Sequence, residues 1–217
     1  REWSRKHGFS DWMVARILQF TDKPNELLEG LLHRPPRYLR ANPLRASVDE
    51  VIKRLEAKDF SLARNELDPN VLKVRQAPIS PGATIEHMQG MTTPQDLASA
   101  SAPLALGVKP GDIVADLAAA PGVKTLHLAG DLYRQGKRED GAVVAIEPEA
   151  DRMRALRFNL ERCGATGVVM RQERAQDTPG EAWADKVLLD APCTGEGTLP
   201  KDRNRRFMKP EEVTEMA

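Results

Sequence analysis

The sequence predicts an α/β fold in which a doubly wound, mostly parallel sheet follows a smaller helical and β-α-β region. Beyond Thr92, short apolar strands alternate with helical patterns, which is typical of crossover units in a parallel sheet. Before Thr92, apolar residues first recur at helical spacing and then give way to a strand, a helix and a second strand. A chain of 217 residues with 41% hydrophobic content is long enough to bury cores of this kind.

The first predicted part, residues 1–35, is a helical segment. Apolar residues recur at helical spacing between Ser10 and Leu32, with Ser10 placed to cap the first helix. Lys23-Pro-Asn separates this helix from a second one, and Pro35-Pro36 ends the pair. The pattern therefore indicates a small helical hairpin.

The second predicted part, residues 36–90, is a β-α-β accessory domain that resembles RNA-recognition modules in its element order. A short strand at 38–42 precedes a helix at 47–58 with one apolar face, and Ser47 and Glu50 form its capping box. A second strand at 71–75 is followed by a stretch that contains proline and glycine.

The third predicted part, residues 91–217, contains the parallel sheet. A small-residue helix is expected at 94–106, and further helices near 123–135 and 149–163, the last ending at Gly164. The predicted strands are 112–117, 142–147, 167–172 and 186–190. Right-handed crossovers bring the carboxyl ends of parallel strands to one rim, so Asp116, Glu147 and Asp190 are expected on the same side.

A loop of small residues follows the first strand of this sheet and is the predicted cofactor-binding segment. Small side chains let backbone N–H groups and a helix N-terminus approach a ligand closely. The loop matches neither GxGxxG nor the phosphate-binding GxxxxGK[ST] pattern, and on its own an ordinary strand-to-helix turn explains it equally well. It consists of Ala118, Ala119, Ala120, Pro121, Gly122, Val123 and Lys124.

Glu147, at the end of the second strand of the sheet, strengthens the cofactor hypothesis. A carboxylate at this position, downstream of the loop, is placed to bind both hydroxyls of a ribose. The alternative is that Glu147 only starts a helix at Pro148. The loop and Glu147 together indicate a nucleotide-like cofactor.

The ten residues 188–197, Leu-Leu-Asp-Ala-Pro-Cys-Thr-Gly-Glu-Gly, combine a carboxylate and a thiol. Asp190 and Cys193 lie three positions apart just after an apolar strand. A lone cysteine after a strand is usually structural, but Cys193 stands between Pro192 and Gly195 on a predicted site rim, which favours a functional role. Cys163, at a helix end, is predicted to be a packing residue.

These segments resemble the Sun/nucleolar-protein (NOL/NOP/Sun) family of RNA cytosine-5 methyltransferases. The resemblance rests on the run from Lys186 to Asp202, on Asp116 to Thr125, and on the segments 34–42 and 90–101. It implies a Rossmann-like class I methyltransferase sheet with S-adenosylmethionine as cofactor. It also implies that residues 118–124, Glu147, Arg152 and Asp190 bind the cofactor, and that a target cytosine lies beside Asp190.

The chemistry of this reaction calls for a cysteine, because C5 of cytosine is a poor nucleophile until a thiolate adds at C6. A base must then remove the C5 proton so that the thiolate can leave. The resemblance associates Cys193 with product release, whereas the attacking thiol belongs to a Thr-Cys motif that these residues lack. The rival interpretation makes Cys193 the attacking thiol, as in DNA cytosine-5 methyltransferases. The candidate catalytic residues are Cys193, Asp190 and Lys201.

The sequence departs from the family pattern in several places. The family sheet has seven strands and only four are predicted, so a further C-terminal portion, a complementing chain beyond Ala217 or a truncation is expected. Val123 stands where the family usually has glycine, and Ala118 where it often has cysteine. Arg174 lies near where an acid usually meets the adenine, and Glu173 or Asp177 is the expected substitute.

RNA is the predicted partner, either tRNA or rRNA, but bulk charge does not decide it because Lys plus Arg and Asp plus Glu both total 32. Two basic patches are candidates for phosphate contacts, although a solvated charged face explains each equally well. Tyr38 and Phe207 are candidates for stacking on bases unstacked from loops or ends of RNA, although a place in the core explains them equally well. The patches are Arg34, Arg37, Arg40 and Arg45, and residues 201–209.

The compartment and the alternative functions follow from simpler features. Two cysteines and the lack of an apolar run as long as a membrane span predict a cytoplasmic protein with no membrane partner. The main alternative function is a catalytically inactive RNA-binding or scaffold homologue. A small-molecule or protein methyltransferase is less favoured, because the sequence has no Asn-Pro-Pro-type motif.

Overall fold

The computed structural model describes residues 1–133, 141–178, 180–195 and 198–211. They fall into two compact units, one formed by residues 36–191 and the other by residues 1–35 together with those after 191. No helix in these ranges is both long and apolar enough to cross a membrane.

The unit that contains the N-terminus is helical. Helices α1 (Glu2–His7), α2 (Asp11–Ile17) and α3 (Pro24–Gly30) surround a small core, which Leu199 joins from the later part of the chain. The Ser10 hydroxyl accepts a hydrogen bond from the Met13 amide at 3.2 Å, so the predicted cap of α2 is confirmed. Helix α1 was not predicted, because its six residues carry too few apolar positions to show a period.

The unit of residues 36–191 begins with an antiparallel sheet. Its strands β1 (Arg37–Ala41), β2 (Ser61–Arg64), β3 (Val71–Gln76) and β4 (Thr92–Pro94) have the order β2-β3-β1-β4. Helix α4 (Val48–Glu56) connects β1 to β2, and Ser47 caps it by accepting from the Glu50 amide. The short helix α5 (Ile85–Met88) precedes β4. The β-α-β prediction therefore lacked β2 and β4, which are too short to show a clear alternation.

The second sheet of this unit is parallel and contains all four predicted strands. They are β5 (Ile113–Asp116), β6 (Ala142–Ile146), β7 (Val168–Arg171) and β8 (Lys186–Leu188), in the order β7-β6-β5-β8. The chain thus builds outward from β5 to β7 and then returns to the other side of β5. A crevice at the carboxyl ends of β5 and β8 is the expected binding position in such a sheet.

Three helices pack against the parallel sheet: α6 (Leu97–Leu106), α7 (Val123–Leu132) and α8 (Ala150–Cys163). Helix α6 starts later than predicted because Thr92–Pro94 pairs with β1. Helix α8 ends at Gly164 with a left-handed φ of 74°, as predicted. The predicted end of α7 at 135 lies outside the described residues.

Arg40 joins the two sheets and does not lie on the surface. Its side chain is only 4% exposed and contacts Asp131 of α7 at 2.9 Å and Asp68 at 3.5 Å. His127 of α7, fully buried, lies 3.4 Å from a carboxylate oxygen of each of these aspartates. The prediction that Arg40 contacts RNA phosphates is therefore wrong, because the buried Asp68 and the partly buried Asp131 already pair with its charge.

Candidate cofactor and catalytic site

The loop 117–122 is tied to three strands. The Leu117 amide donates to the Leu188 carbonyl, and the Ala119 amide donates to the Ile146 carbonyl, both at 3.0 Å. The Thr125 hydroxyl donates to a carboxylate oxygen of Asp116 at 2.6 Å. The loop is thus held against β8 and β6 while it leaves β5, which fixes the N-terminus of α7 at the carboxyl edge of the sheet.

One face of α8 forms the floor under this loop. Arg152 donates to the Ala120 carbonyl at 3.0 Å, and Asn159 donates to the Pro121 carbonyl at 2.9 Å. Between them lies Leu156, whose Cδ1 would be only 2.9 Å from a Cβ added at Gly122. Gly122 has a φ of 104°, which side-chain-bearing residues rarely adopt. Glycine at 122 therefore meets both a conformational and a spatial requirement.

Glu147 is fully buried at the end of β6. One carboxylate oxygen accepts a hydrogen bond from the Glu149 amide at 3.0 Å, which is the helix-start role that was the alternative interpretation. The other oxygen lies 3.3 Å from the Arg152 guanidinium and has no hydrogen-bond partner among the described residues. Because buried carboxylate oxygens normally accept hydrogen bonds, this one is available to a ligand hydroxyl.

Asp116, at the end of β5, is buried beneath the loop. Burial raises the pKa of its carboxyl group, and the hydrogen bond from Thr125 counteracts part of this effect. Asp116 thus supports the loop through Thr125, whose hydroxyl also lies 3.3 Å from the Ala119 carbonyl.

Lys124 and Asp190 form an ion pair at the carboxyl ends of β5 and β8. The Asp190 side chain is 57% exposed and the Lys124 side chain 19% exposed, so the pair lies at the mouth of the crevice. The structure therefore brings the predicted cofactor loop and the start of the predicted chemical loop together, as right-handed crossovers require.

Cys193 and Lys201 belong to the other compact unit, and both are exposed. In that unit Arg205 donates to the Thr194 carbonyl and lies against Gly195, where an added Cβ would be 2.7 Å from its Nη1. Thr194 and Gly195 directly follow Cys193, so Arg205 holds the backbone beside the thiol. Glu196 and Gly197 of the predicted motif lie outside the described residues.

The three residues considered for adenine recognition have partners near β7. Glu173 pairs with Arg171 at 3.0 Å and accepts from the Thr178 hydroxyl at 3.1 Å. Asp177 pairs with Arg174 at 2.7 Å, and this contact lowers the pKa of Asp177. Among the described residues, no hydrogen bond or ion pair joins either carboxylate to the loop 117–122.

The other residues of the two predicted RNA-binding patches differ in their exposure and in their contacts. Arg45 donates to the Glu161 and Arg162 carbonyls at the end of α8, so it caps a helix. Arg34 and Arg37 are exposed, and Tyr38 is half-buried. In the 201–209 patch, Phe207 is 60% exposed and stacks with Arg206 at 5.7 Å. The side chain of Arg203 lies outside the described residues.

Sequence reasoning missed Leu156 and Asn159 as parts of the site. Both lie on the face of α8 that Arg152 shares, since positions 152, 156 and 159 follow helical spacing. That spacing was the available signal, but it does not reveal which loop the face contacts.

The fold agrees with what known proteins show. A family described as "16S rRNA methyltransferase RsmB/F" matches residues 103–217, and the ferredoxin-like domain of RsmF/B-like methyltransferases matches residues 9–80. The chain belongs to the RsmB/F methyltransferase family. The predicted resemblance to this group of RNA methyltransferases is confirmed, and so is the Rossmann-like class I sheet.

Individual RsmB/F relatives support the same assignment. Ribosomal RNA small subunit methyltransferase F of Aliivibrio salmonicida is 34% identical over 83% of this chain and 39% of its own length. The 26S rRNA (cytosine-C(5))-methyltransferase nsun-1 of Caenorhabditis elegans is 30% identical over 94% of this chain and 31% of its own length. The chain therefore spans roughly a third of the curated relatives it matches.

A solved structure gives the same result for the RsmB/F fold. A methyltransferase homologue from Pyrococcus horikoshii is 33% identical and superposes with a TM-score of 0.76, covering 91% of this chain and 64% of its own. NSun6 from the same organism, at 20% identity and a TM-score of 0.75, shows the shared fold.

Proposed function

We propose that this chain is the cofactor-binding portion of an S-adenosylmethionine-dependent RNA cytosine-5 methyltransferase that acts on rRNA. The observation that carries the proposal is the buried Glu147 carboxylate, which keeps one oxygen without a hydrogen-bond donor beside a loop of small residues. Relatives named as rRNA methyltransferases, one of them a cytosine-C(5) enzyme, support the reaction and the substrate class.

The residues present fit S-adenosylmethionine. The Glu147 oxygen that lacks a hydrogen-bond donor among the described residues would accept hydrogen bonds from the ribose hydroxyls, and the N-terminus of the ten-residue helix α7 offers backbone N–H groups at Val123 and Lys124. Arg152 is bound to Glu147 and to the loop itself, so we assign it to orienting these groups. The cofactor supplies an electrophilic methyl group.

Residues of this chain would hold the target base beside the cofactor. We assign Asp190 and Lys124 to the target cytosine, since their exposed ion pair offers both an acceptor and donors at the crevice mouth. A thiolate forms a bond to C6 and places electron density at C5. Later a general base takes the C5 proton, the electrons of the C–H bond re-form the C5–C6 double bond, and the sulfur–C6 bond breaks so that the thiolate leaves.

Of the two cysteines, only Cys193 is exposed. Cys163 is fully buried in the sheet core, and burial raises the pKa of its thiol, so it is unsuited to attack a base and is the packing residue that was predicted. We assign Cys193 to product release and the attack to a second cysteine outside these residues. Lys201, exposed in the same unit as Cys193, is proposed as a substrate-contacting cation.

RNA contacts are proposed for the exposed basic residues that remain, Arg34, Arg37 and Lys209. We propose 91–217 as the catalytic domain, 36–90 as an accessory domain that contributes to RNA recognition, and 1–35 as the N-terminal helical segment. The cytoplasm is the proposed compartment, because neither Cys163 nor Cys193 forms a disulfide.

Calorimetry with S-adenosylmethionine tests the cofactor assignment. The substitution Glu147→Gln removes the ribose-directed charge and is expected to weaken binding by about tenfold or more, since hydrogen bonds to charged groups contribute about 1.5–3 kcal/mol. Glu149→Gln, an exposed carboxylate two positions further on, is the matched control and should bind like the wild type. Equal affinities for all three proteins would contradict the assignment.

Trapping with RNA that contains 5-fluorocytosine tests the role of Cys193. Because fluorine at C5 cannot be removed as a proton, the covalent adduct accumulates on the attacking thiol. If Cys193 acts in release, the adduct persists in the Cys193→Ala variant of the whole methyltransferase. Loss of the adduct in that variant would make Cys193 the nucleophile.

A further inference from the structure

Asn159 holds the predicted cofactor loop from helix α8. Its Nδ2 donates to the Pro121 carbonyl at 2.9 Å, and its Oδ1 accepts from the Arg162 guanidinium at 3.2 Å. Both ends of the amide are therefore used, which fixes its orientation. A carbonyl acceptor on one side and a guanidinium donor on the other match an amide, whereas an ionised carboxylate of the same size has no proton to donate.

Arg162 continues this set of contacts into the antiparallel sheet region. Its second terminal nitrogen donates to the His87 carbonyl in α5. The neighbouring backbone is packed so closely that a Cβ at Gly90 would lie 2.1 Å from the Arg162 carbonyl. Asn42 of the segment after β1 donates to both the Gly90 and the Cys163 carbonyls at 2.8 Å. The segment 87–90 is thus fixed to the last turn of α8.

The loop carbonyls need such support because of where they point. The Ala120 carbonyl accepts a hydrogen bond from Arg152, and the Pro121 carbonyl accepts one from Asn159, both on α8. The N–H groups of the residues that follow are then left for the start of α7. If the Ala120 or the Pro121 carbonyl lost its hydrogen bond to α8, its peptide group could rotate. The N–H groups at the start of α7 would then lose their fixed direction. Asn159 acts at Pro121, one residue from Gly122.

We infer that Asn159 is a positioning residue for cofactor binding and that it couples the cofactor loop, through Arg162, to the accessory segment 87–90. This inference rests on the proposed function. Under the proposed function the region of the antiparallel sheet contributes to RNA recognition. We infer a second role for it, because its packing against α8 also sets the geometry of the cofactor loop.

Two substitutions at Asn159 separate its effects. Asn159→Ala removes the donor to Pro121, whereas Asn159→Asp keeps the size and the acceptor for Arg162 but places a carboxylate oxygen against the Pro121 carbonyl. Binding of S-adenosylhomocysteine to the full chain should weaken about three- to tenfold in Asn159→Ala, the range expected for one lost hydrogen bond. The aspartate variant should bind more weakly than the alanine variant.

The pH dependence of the two variants gives a readout that a purely structural role would not change. When the carboxyl group of the aspartate variant is protonated, it can again donate to Pro121. Its affinity relative to Asn159→Ala should therefore rise as the pH is lowered through the ordinary range of a carboxyl group. Arg162→Met, which breaks the link to His87, should reproduce part of the loss seen in Asn159→Ala.

The control is Arg157→Gln, an exposed substitution on α8 that changes the net charge by the same amount as Asn159→Asp. It should leave affinity unchanged. Thermal denaturation without ligand shows that each variant is folded, and if Asn159→Ala is not, the isosteric aspartate variant carries the test. Wild-type affinity in both Asn159 variants would overturn the inference while leaving the proposed function intact. Failure of the wild type itself to bind would overturn both.

Discussion

The ammonium group of Lys124 pairs with the carboxylate of Asp190, although 66 positions separate them in the chain. The pair is exposed enough to exchange its internal contact for contacts with a substrate, because more than half of the Asp190 side chain faces solvent. The ion pair should therefore contribute little to the free energy of unfolding, and its proposed importance lies in the reaction.

A double-mutant cycle with Lys124→Met and Asp190→Asn tests this distinction. In urea denaturation, the coupling energy between the two positions should be no more than about 1 kcal/mol. In the complete methyltransferase, either substitution should reduce methyl transfer by about 100-fold or more. A large coupling energy combined with unchanged methyl transfer would show that the pair is structural.

Gly122→Ala should destabilise the chain and weaken S-adenosylhomocysteine binding, because the added Cβ meets Leu156 and the positive φ is unfavourable, the latter by about 1–2 kcal/mol. Gly111→Ala is the matched control. Its φ is also positive, at 93°, but apart from its two chain neighbours no atom of the described residues lies within 4 Å of the added Cβ. Urea denaturation and calorimetry on both variants separate backbone strain from the contact, and only Gly122→Ala should lose affinity.

Arg40→Met should lower the free energy of unfolding by about 3–5 kcal/mol, because it leaves the buried Asp68 and the partly buried Asp131 without their shared cation. Arg37→Met, on the same strand but exposed, should change it by no more than about 0.5 kcal/mol. Urea denaturation measures both. Similar midpoints for the two variants would show that the Arg40 ion pairs contribute nothing.

The raised pKa of Asp116 predicts a pH effect on stability. A carboxyl group with a higher pKa in the folded state binds protons more tightly when folded, so its contribution to stability is lost as the pH rises from the unfolded pKa through the folded one. Asp116→Asn should remove the part of the decline in the free energy of unfolding that the Asp116 carboxyl group causes. Comparing urea midpoints of the two proteins over this window is the measurement, and parallel curves would refute the effect.

Alkylation with iodoacetamide should distinguish the cysteines. Cys193 is exposed and should react in the folded protein, whereas Cys163 is buried with a raised pKa and should react only after denaturation. Peptide mass spectrometry reports each site. Modification of Cys163 at the same rate under native conditions would contradict its place in the core.

Sequence reasoning located the features that depend on neighbouring residues. The caps at Ser10 and Ser47, the end of α8 at Gly164 and the four parallel strands all follow from patterns a few residues long. The partners of Arg40 could not be found in this way, because Asp131 lies 91 positions away and an isolated arginine in a basic segment suggests a surface.

The candidate site likewise contains features that local sequence patterns reveal and features that they do not. The loop 118–124 and Glu147 were identifiable from residue type and from their positions after strands. Asn159 was not, because its amide acts on a carbonyl 38 positions away and leaves no local trace. The strand β4 was missed for a related reason, since three residues become a strand only through pairing with β1.

The buried contacts of Arg40 and His127 with Asp68 and Asp131 bear on how such chains can be engineered. A cut near Gln95 that isolates the parallel sheet would strip Asp131 and His127 of partners contributed by the other sheet. The two sheets are consequently poor candidates for exchange between homologues, unless all four of these residues are transplanted together.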